Sequence, residues 1–399
     1  MKILFVPDSI WGDASGHRSS QYLIKAFALA NIDIALYAPR SGYTLEQHNI
    51  LKEYKCEYYP QTEYKYSQQL IRKDVDDEFK SVLDKYKPDY VFYVGTIKNK
   101  VSIDYCLKNN IKYLYLPLTT EYYCVNTFAG LESGPCYGCL KGSIVAPFKN
   151  KCLPKDYQLI NFVKDKAIEL NSRKRILGAH KIVGYSNDQL ELLESYGVER
   201  GKRLKLPIFF DPDSDNNIKI SSGDYFLIFG QFLTAKGWHV IPDVIKKSQG
   251  VKFKVILQEK NFNKFVEGNN LKQFVEDGSL VLQDFLSTHH LLLQEVAKSK
   301  AVLIPSHYHT TGEFSMLEAL MFHKPVIAFN CGIHSEIFKD KENGMIADIG
   351  DLEGYINKIQ QLNSNPELYS QVSRGSRELF NKLTSIENFK QAIHNALML

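Results

Sequence analysis

Two hydrophobic periods alternate along this chain, and that alternation constrains its fold more than any other feature. Short apolar runs rich in β-branched and aromatic residues end at turn residues at Ile3 to Pro7, Ile34 to Tyr37, Tyr90 to Val94, Tyr113 to Leu118 and Ile182 to Tyr185. Such runs suit strands buried on both faces. Between them lie stretches with helical spacing, the first being Ser19 to Ala30. A strand, a crossover helix and a second parallel strand put ligand loops at the carboxyl ends of the strands. The first such loop runs from Asp8 to Arg18 and contains Gly12 and Gly16.

Both periods break at Leu206 to Asp213 and through the polar stretch Ser214 to Gly223, which reads as an interdomain linker. The pattern then restarts. Strands are expected at Tyr225 to Gly230, Phe253 to Gln258, Leu280 to Leu282, Ala301 to Pro305 and Val326 to Phe329. Helices are expected at Trp238 to Lys247, His289 to Ser299 and Phe314 to Phe322, and Pro366 to Leu399 reads as helical throughout. A length of 399 residues supports two domains, each large enough for its own core. The expected fold class is α/β, two Rossmann-like doubly wound domains facing a central cleft. The first spans residues 1–207 and the second 215–379, with a C-terminal helix over 380–399 packing back on the first.

Charge narrows the function. The 49 Lys and Arg against 45 Asp and Glu leave a net +4, too little to bind a phosphate backbone by bulk charge, so nucleic acid is not the expected partner. Met1 to Pro7 is too short for a signal peptide and no apolar run reaches the length of a membrane span, so the expected location is cytoplasmic. Arg173, Lys174 and Arg175, with Lys164, Lys166 and Lys181 nearby, form a basic cluster. It reads either as a solvated face or as a peripheral contact with the inner membrane face.

Of the seven cysteines, Cys124, Cys136, Cys139 and Cys152 fall close together, with one C-x-x-C at their centre. That spacing suits a structural zinc site; buried thiols and an iron–sulfur cluster are the alternatives.

The richest stretch for chemistry is Ala301 to Ile346. A strand ends at Pro305-Ser306, a polar loop carries Gly312, and a helix from Phe314 aims its unbonded N–H groups at that loop, as an anionic phosphate requires. Glu318, about one turn in, can accept from two neighbouring hydroxyls such as those of a ribose, or can simply complement the helix N-terminus.

Leu317 to Ala328, Gly332 to Ile337, Glu342 to Ile346 and Asp351-Leu352 together resemble the nucleotide-sugar-dependent glycosyltransferases of the two-Rossmann GT-B fold, specifically family 4. Phe226 to Gly237 is similar to that family's strand-Gly-Arg, four residues, Lys-Gly element, with Gln231 at the Arg position. The resemblance implies that Lys236 neutralises the donor diphosphate and that Glu318 holds the ribose. The family's first Glu falls at Thr310, so either Glu313 takes its place beside the transferred sugar or the hydroxyls of Thr310 and Thr311 do. Gly16, Gln231, Gly312, Phe314 and Ser315 complete the implied donor site.

The N-terminal half resembles the family more loosely. Thr120-Glu121 stands where relatives carry His-Asp, which leaves His17 and Glu121 as catalytic candidates beside Lys236 and Glu313. The resemblance implies a hexosyltransferase-like enzyme, with the donor on the C-terminal domain and the acceptor on the N-terminal one. It implies that a sugar passes from a nucleoside diphosphate to a glycan or lipid-linked glycan in surface polysaccharide or lipopolysaccharide synthesis, with retention and without a metal at the diphosphate. The rival readings are a catalytically weakened glycan- or nucleotide-binding protein and a sugar-nucleotide epimerase.

Overall fold

The computed structural model describes residues 1–8, 10, 15–39, 51–62, 73–97, 100–153, 169–210, 218–221 and 223–397. Gly12, part of the expected linker (211–217 and 222), Lys164 and Lys166 lie outside the described residues. The chain divides into two compact units, one of Met1–Phe128, Tyr137–Phe210 and Ser385–Leu399, the other of Ala129–Cys136 and Asp211–Thr384.

The first unit is built on a seven-stranded sheet. Its strands are β1 (Lys2–Val6), β2 (Asp33–Pro39), β3 (Glu57–Gln61), β4 (Tyr90–Val94) and β5 (Tyr113–Leu116), followed, after two short strands described below, by β8 (Lys181–Gly184) and β9 (Arg203–Lys205). The order is β3-β2-β1-β4-β5-β8-β9 and every pairing is parallel. In β1 only Lys2 is exposed and the next four residues are buried, the continuous apolar run of a strand covered on both faces. The first helix runs Ser15–Leu29, one turn longer at its start than helical spacing alone suggests. Its Phe27 packs edge-on against Phe92 at 5.6 Å and against Phe389 of the helix Ile386–Leu397, also at 5.6 Å. The C-terminal segment is thus two helices, Pro366–Leu383 and Ile386–Leu397, broken at Thr384 and Ser385.

The second unit repeats the plan. Strands β10 (Tyr225–Phe229), β11 (Lys252–Ile256), β12 (Leu280–Gln283), β13 (Ala301–Ile304), β14 (Val326–Phe329) and β15 (Met345–Ala347) pair in parallel in the order β12-β11-β10-β13-β14-β15. Phe226, Ile241, Val255, Ile327 and Tyr355 lie at the centre of its core; burying a side chain of this size contributes about 1.5–3 kcal/mol. Some helix starts carry side-chain caps: Thr288 accepts from the Leu291 N–H and Asn365 from Glu367 and Leu368.

The two short strands, β6 (Gly130–Leu131) and β7 (Gly134–Pro135), form an antiparallel hairpin that belongs to this second unit. A Cβ on Gly130 would lie 2.9 Å from the Cβ atoms of both Ala235 and Tyr308, so only glycine lets the hairpin approach this closely. No described helix is long and apolar enough to cross a membrane.

Candidate functional site

In an open parallel sheet, ligand loops gather where the strand order reverses. In the second unit that point falls between β10 and β13, neighbours in space with two strands between them in sequence. The loop after β10 turns at Gly237, which is left-handed (φ +76°) and passes so close to the next loop that a Cβ there would sit 1.8 Å from the Pro305 carbonyl oxygen. Packing and backbone conformation both require glycine here, and Lys236 beside it is held against the loop that follows β13.

That loop, Pro305 to Glu313, supplies the partners. Lys236 Nζ forms an ion pair with Glu313 Oε1 and donates to the Tyr308 hydroxyl at 2.8 Å, with the ammonium 4.8 Å from the Tyr308 ring centroid. Ser306 Oγ donates to the same Glu313 oxygen at 2.8 Å. Glu313 is 4% exposed and directly precedes the helix Phe314–Met321, yet its side chain makes no capping bond to that helix. Burial opposes both charges. Even so, Glu313 and Tyr308 raise the Lys236 ammonium above its ordinary value, and Lys236 with His334 holds the Glu313 carboxyl well below the usual carboxylate range. Lysine and glutamate are therefore both charged at neutral pH.

The loop after β14 closes the cluster from a third strand. His334 is fully buried, with Nε2 3.1 Å from Glu313 Oε2 but not aligned for a hydrogen bond; neither ring nitrogen has a hydrogen-bond partner among the described residues. Cys331 Sγ donates to the Ser306 carbonyl at 3.1 Å, and the Ile333 N–H to the Thr310 carbonyl at 3.0 Å. A Cβ on Gly332 would lie 2.6 Å from the Thr310 nitrogen, so this glycine lets the two loops touch.

Glu318, one turn into the helix, is 1% exposed, and its Oε1 lies 2.7 Å from Nε2 of His289, the first residue of the helix His289–Lys298. Thr310 and Thr311 are buried, Gly312 and Ser315 partly so, and Gln231 is exposed. The structure thus brings Lys236, Thr310 and Glu313 together, with Glu318 farther along the same helix. Tyr308, Ser306, His289 and His334 join them without having been singled out in the sequence. His307 also belongs to this region. It lies between the rings of His239 (4.9 Å) and Phe329 (4.5 Å), and burial pushes its imidazole down to about 4. Neutral, it is positioned to donate from Nδ1 to the Pro305 carbonyl at 2.7 Å.

The candidates of the first unit lie around its own strand-order reversal, at β1 and β4. Gly16 and His17 sit in the first turn of the helix Ser15–Leu29 rather than in a free loop. A Cβ on Gly16 would meet nothing nearer than 3.7 Å, so packing alone does not require glycine there. His17 is half-buried, and its Nδ1 has no hydrogen-bond partner among the described residues. Glu121 is 5% exposed and accepts from the Ile97 N–H at 2.7 Å. Asp8 accepts from the Thr96 N–H at 2.7 Å and pairs with the buried Lys100 at 2.9 Å.

Two expectations are corrected. The zinc site is not supported: among the described residues no group of three or more His, Cys, Asp or Glu side chains is arranged to hold a metal. Backbone bonds fasten this segment instead, Cys136 N–H to the Ala129 carbonyl at 2.7 Å and Cys152 N–H to that of Pro147 at 2.9 Å. The basic cluster also loses a member. Arg175 is 1% exposed, and its Nε and Nη2 donate to Asp104 at 2.9 and 2.6 Å, which makes it part of the interior rather than of a cationic face.

Residues 211–379 match the family model of glycosyl transferases group 1. Among curated proteins, the poly(ribitol-phosphate) alpha-N-acetylglucosaminyltransferase of Staphylococcus aureus is 27% identical over 139 residues, 34% of this chain and 26% of that protein. The chain spans less than half the length of the curated relatives it matches, from 18% to 47%. Solved structures align over nearly the whole chain. HepE of Anabaena in complex with UDP has a TM-score of 0.68 at 14% identity, covering 100% of both chains, and a further HepE structure holds UDP-glucose. A variant of S. aureus TarM in complex with fondaparinux, alpha-GlcNAc-glycerol and UDP has a TM-score of 0.68 at 13% identity, covering 99% of both. At these identities the likeness establishes the fold, and the two parallel sheets with reversing strand order agree with it. Residues 211–379 thus match the glycosyl transferases group 1 model, on a chain that shares its fold with GT-B glycosyltransferases.

Proposed function

We propose that the protein is a glycosyltransferase that moves a sugar from a nucleoside-diphosphate donor to a hydroxyl of a glycan acceptor, with retention of configuration, in the synthesis of a surface polysaccharide or lipopolysaccharide. The observation that carries this reading is the Lys236–Glu313 ion pair at the strand-order reversal of the group 1 domain. A uridine diphosphate is the first donor to test, because UDP and UDP-glucose are the ligands of HepE.

In this reading the diphosphate reaches Lys236 and competes with Glu313 for the ammonium. The carboxylate oxygen so released accepts from a hydroxyl of the transferred sugar, beside Thr310 and Thr311. As the glycosidic bond breaks, negative charge grows on the departing diphosphate. Lys236 and the N-terminus of the helix Phe314–Met321 meet that charge, and stabilisation that grows with it lowers the barrier. Glu318 holds the ribose while His289 orients its carboxylate. The first unit takes the acceptor, with His17 and Glu121 as its candidate groups, and a peripheral contact with a membrane carrying a lipid-linked acceptor fits the same scheme.

The test is to incubate the full chain with a panel of UDP-sugars, with and without oligosaccharide acceptors, and to follow UDP release and sugar transfer. Transfer to acceptor with release of UDP supports the reading. Interconversion of the donor sugar without acceptor would make the protein an epimerase, and tight binding without turnover would make it a binding protein.

A further inference from the structure

Among the described residues five large apolar side chains are more than half exposed: Tyr137 (56%), Ile144 (61%), Val145 (69%), Phe148 (52%) and Leu170 (69%). Four of the five fall between 137 and 148. A soluble surface scatters such residues singly, so a cluster of this kind marks a contact.

The local structure holds the cluster in place. Ser143 Oγ accepts from the Ala146 N–H at 3.2 Å, and the Val145 carbonyl accepts from Phe148 and Lys149 at 3.1 and 3.0 Å, which closes the helical turn Ala146–Lys149. A spacing of three residues puts Val145, which leads into the turn with helical backbone angles, on the same side as Phe148, and Ile144 directly precedes it. Cys139, Leu140 and Pro147 of the same segment are buried, and the segment belongs to the first unit. The apolar tip is therefore a fixed feature of the fold.

Charge then selects the partner. Lys141, Lys149 and Lys151 surround the tip and are all exposed, and from residue 133 to 155 the sequence has no Asp or Glu. Long lysine stems can lie along an apolar surface and extend their ammonium groups to a layer of phosphates, while the tip enters the boundary below.

We propose that residues 137–151 dock on an anionic lipid bilayer, with Ile144, Val145 and Phe148 entering the headgroup boundary and the three lysines meeting the phosphates. These residues are other than the cluster around Arg173, whose Arg175 is buried. The proposal rests on the membrane contact included in the function proposed above and names the residues that make it, and it is independent of the donor chemistry.

The experiment is sedimentation of the full chain with vesicles of phosphatidylcholine alone and of phosphatidylcholine mixed with phosphatidylglycerol. Wild type should bind the mixed vesicles, far less the neutral ones, and less as salt is raised. Ile144→Ser, Val145→Ser and Phe148→Ser combined should weaken binding by roughly tenfold or more, without lowering the melting temperature, because these side chains are exposed. Lys141→Ala, Lys149→Ala and Lys151→Ala should each cost about fivefold on mixed vesicles and little on neutral ones. Absence of wild-type binding overturns the proposal, as does an apolar-tip variant that sediments like wild type. So does a tip variant that abolishes self-association in ultracentrifugation and leaves vesicle binding unchanged, since that would assign the patch to a second copy of the chain.

Discussion

Lys236, partly exposed, and Glu313, buried, form an ion pair between the loops that leave two adjacent strands, β10 and β13, and Ser306 and Tyr308 add a hydrogen bond to each partner. The pair joins segments 77 residues apart in sequence and is the polar centre of the second unit's carboxyl-end loops.

Removing one partner leaves the other charged and poorly solvated, which costs about 3 kcal/mol for a buried pair. Glu313→Gln and Lys236→Ala should therefore each destabilise the protein. The double variant should lose less than the sum, with a coupling of about 1 kcal/mol or more in a double-mutant cycle read by urea unfolding. Strict additivity would show that the pair contributes nothing.

The same pair sets a pH dependence. The folded-state value of Glu313 is depressed, so its contribution is present above the unfolded value, about 4.3, and is lost as pH falls from there toward the folded value. The folded-state value of Lys236 is raised, so its contribution is complete below the unfolded value, about 10.4, and is lost only above it. Melting temperatures of wild type and Glu313→Gln should differ by a constant amount between about pH 5 and 9 and converge in acid below about pH 4. A difference unchanged down to pH 3 would contradict the depressed carboxyl.

Glu318→Gln should weaken UDP binding by about tenfold or more, the loss expected when a charged acceptor of two hydroxyls becomes neutral, about 1.5–3 kcal/mol. His289→Ala should produce a smaller loss by freeing the Glu318 carboxylate to move. Calorimetric titration of UDP into both variants reads this directly, and full affinity in Glu318→Gln would remove Glu318 from the ribose.

Local pattern made part of this site legible. Glu318 stands out because it lies one turn into a helix that follows a strand and a polar loop, Lys236-Gly237 only through its resemblance to the family's Lys-Gly element, and strand periodicity identified β10, β13 and β14 around them. Tyr308, Ser306 and His334 did not stand out, because their role comes from convergence of the β13 and β14 loops, and nothing within either loop encodes that distance. The Cys136-x-x-Cys139 spacing suggested a metal, but the Ala129–Cys136 part of that segment is a hairpin of the second unit, held by the Gly130 contact with Ala235 and Tyr308. Arg175 looked like a surface cation because its partner, Asp104, is 71 residues away in sequence.

Glycine contacts give a prediction that does not involve the ligand. Gly237→Ala forces a Cβ to within 1.8 Å of the Pro305 carbonyl at a left-handed position, whereas Gly230→Ala meets only backbone strain, with nothing within 4 Å. Strain alone costs about 1–3 kcal/mol, and the clash adds to it. Gly237→Ala should lower the melting temperature well beyond Gly230→Ala and should also weaken UDP binding by displacing Lys236. Equal melting temperatures for the two variants would mean that the β10 and β13 loops are not packed as described.

The central claim is that Lys236 stabilises a departing diphosphate, and single-turnover release of UDP from UDP-glucose, or from whichever UDP-sugar the panel identifies as the donor, measures it most directly. The account predicts that Lys236→Ala lowers the single-turnover rate by about a hundredfold, the scale of removing one preorganised charge stabiliser, while donor affinity falls far less. A single-turnover rate equal to that of wild type, with the whole effect appearing as weaker donor binding, would contradict it.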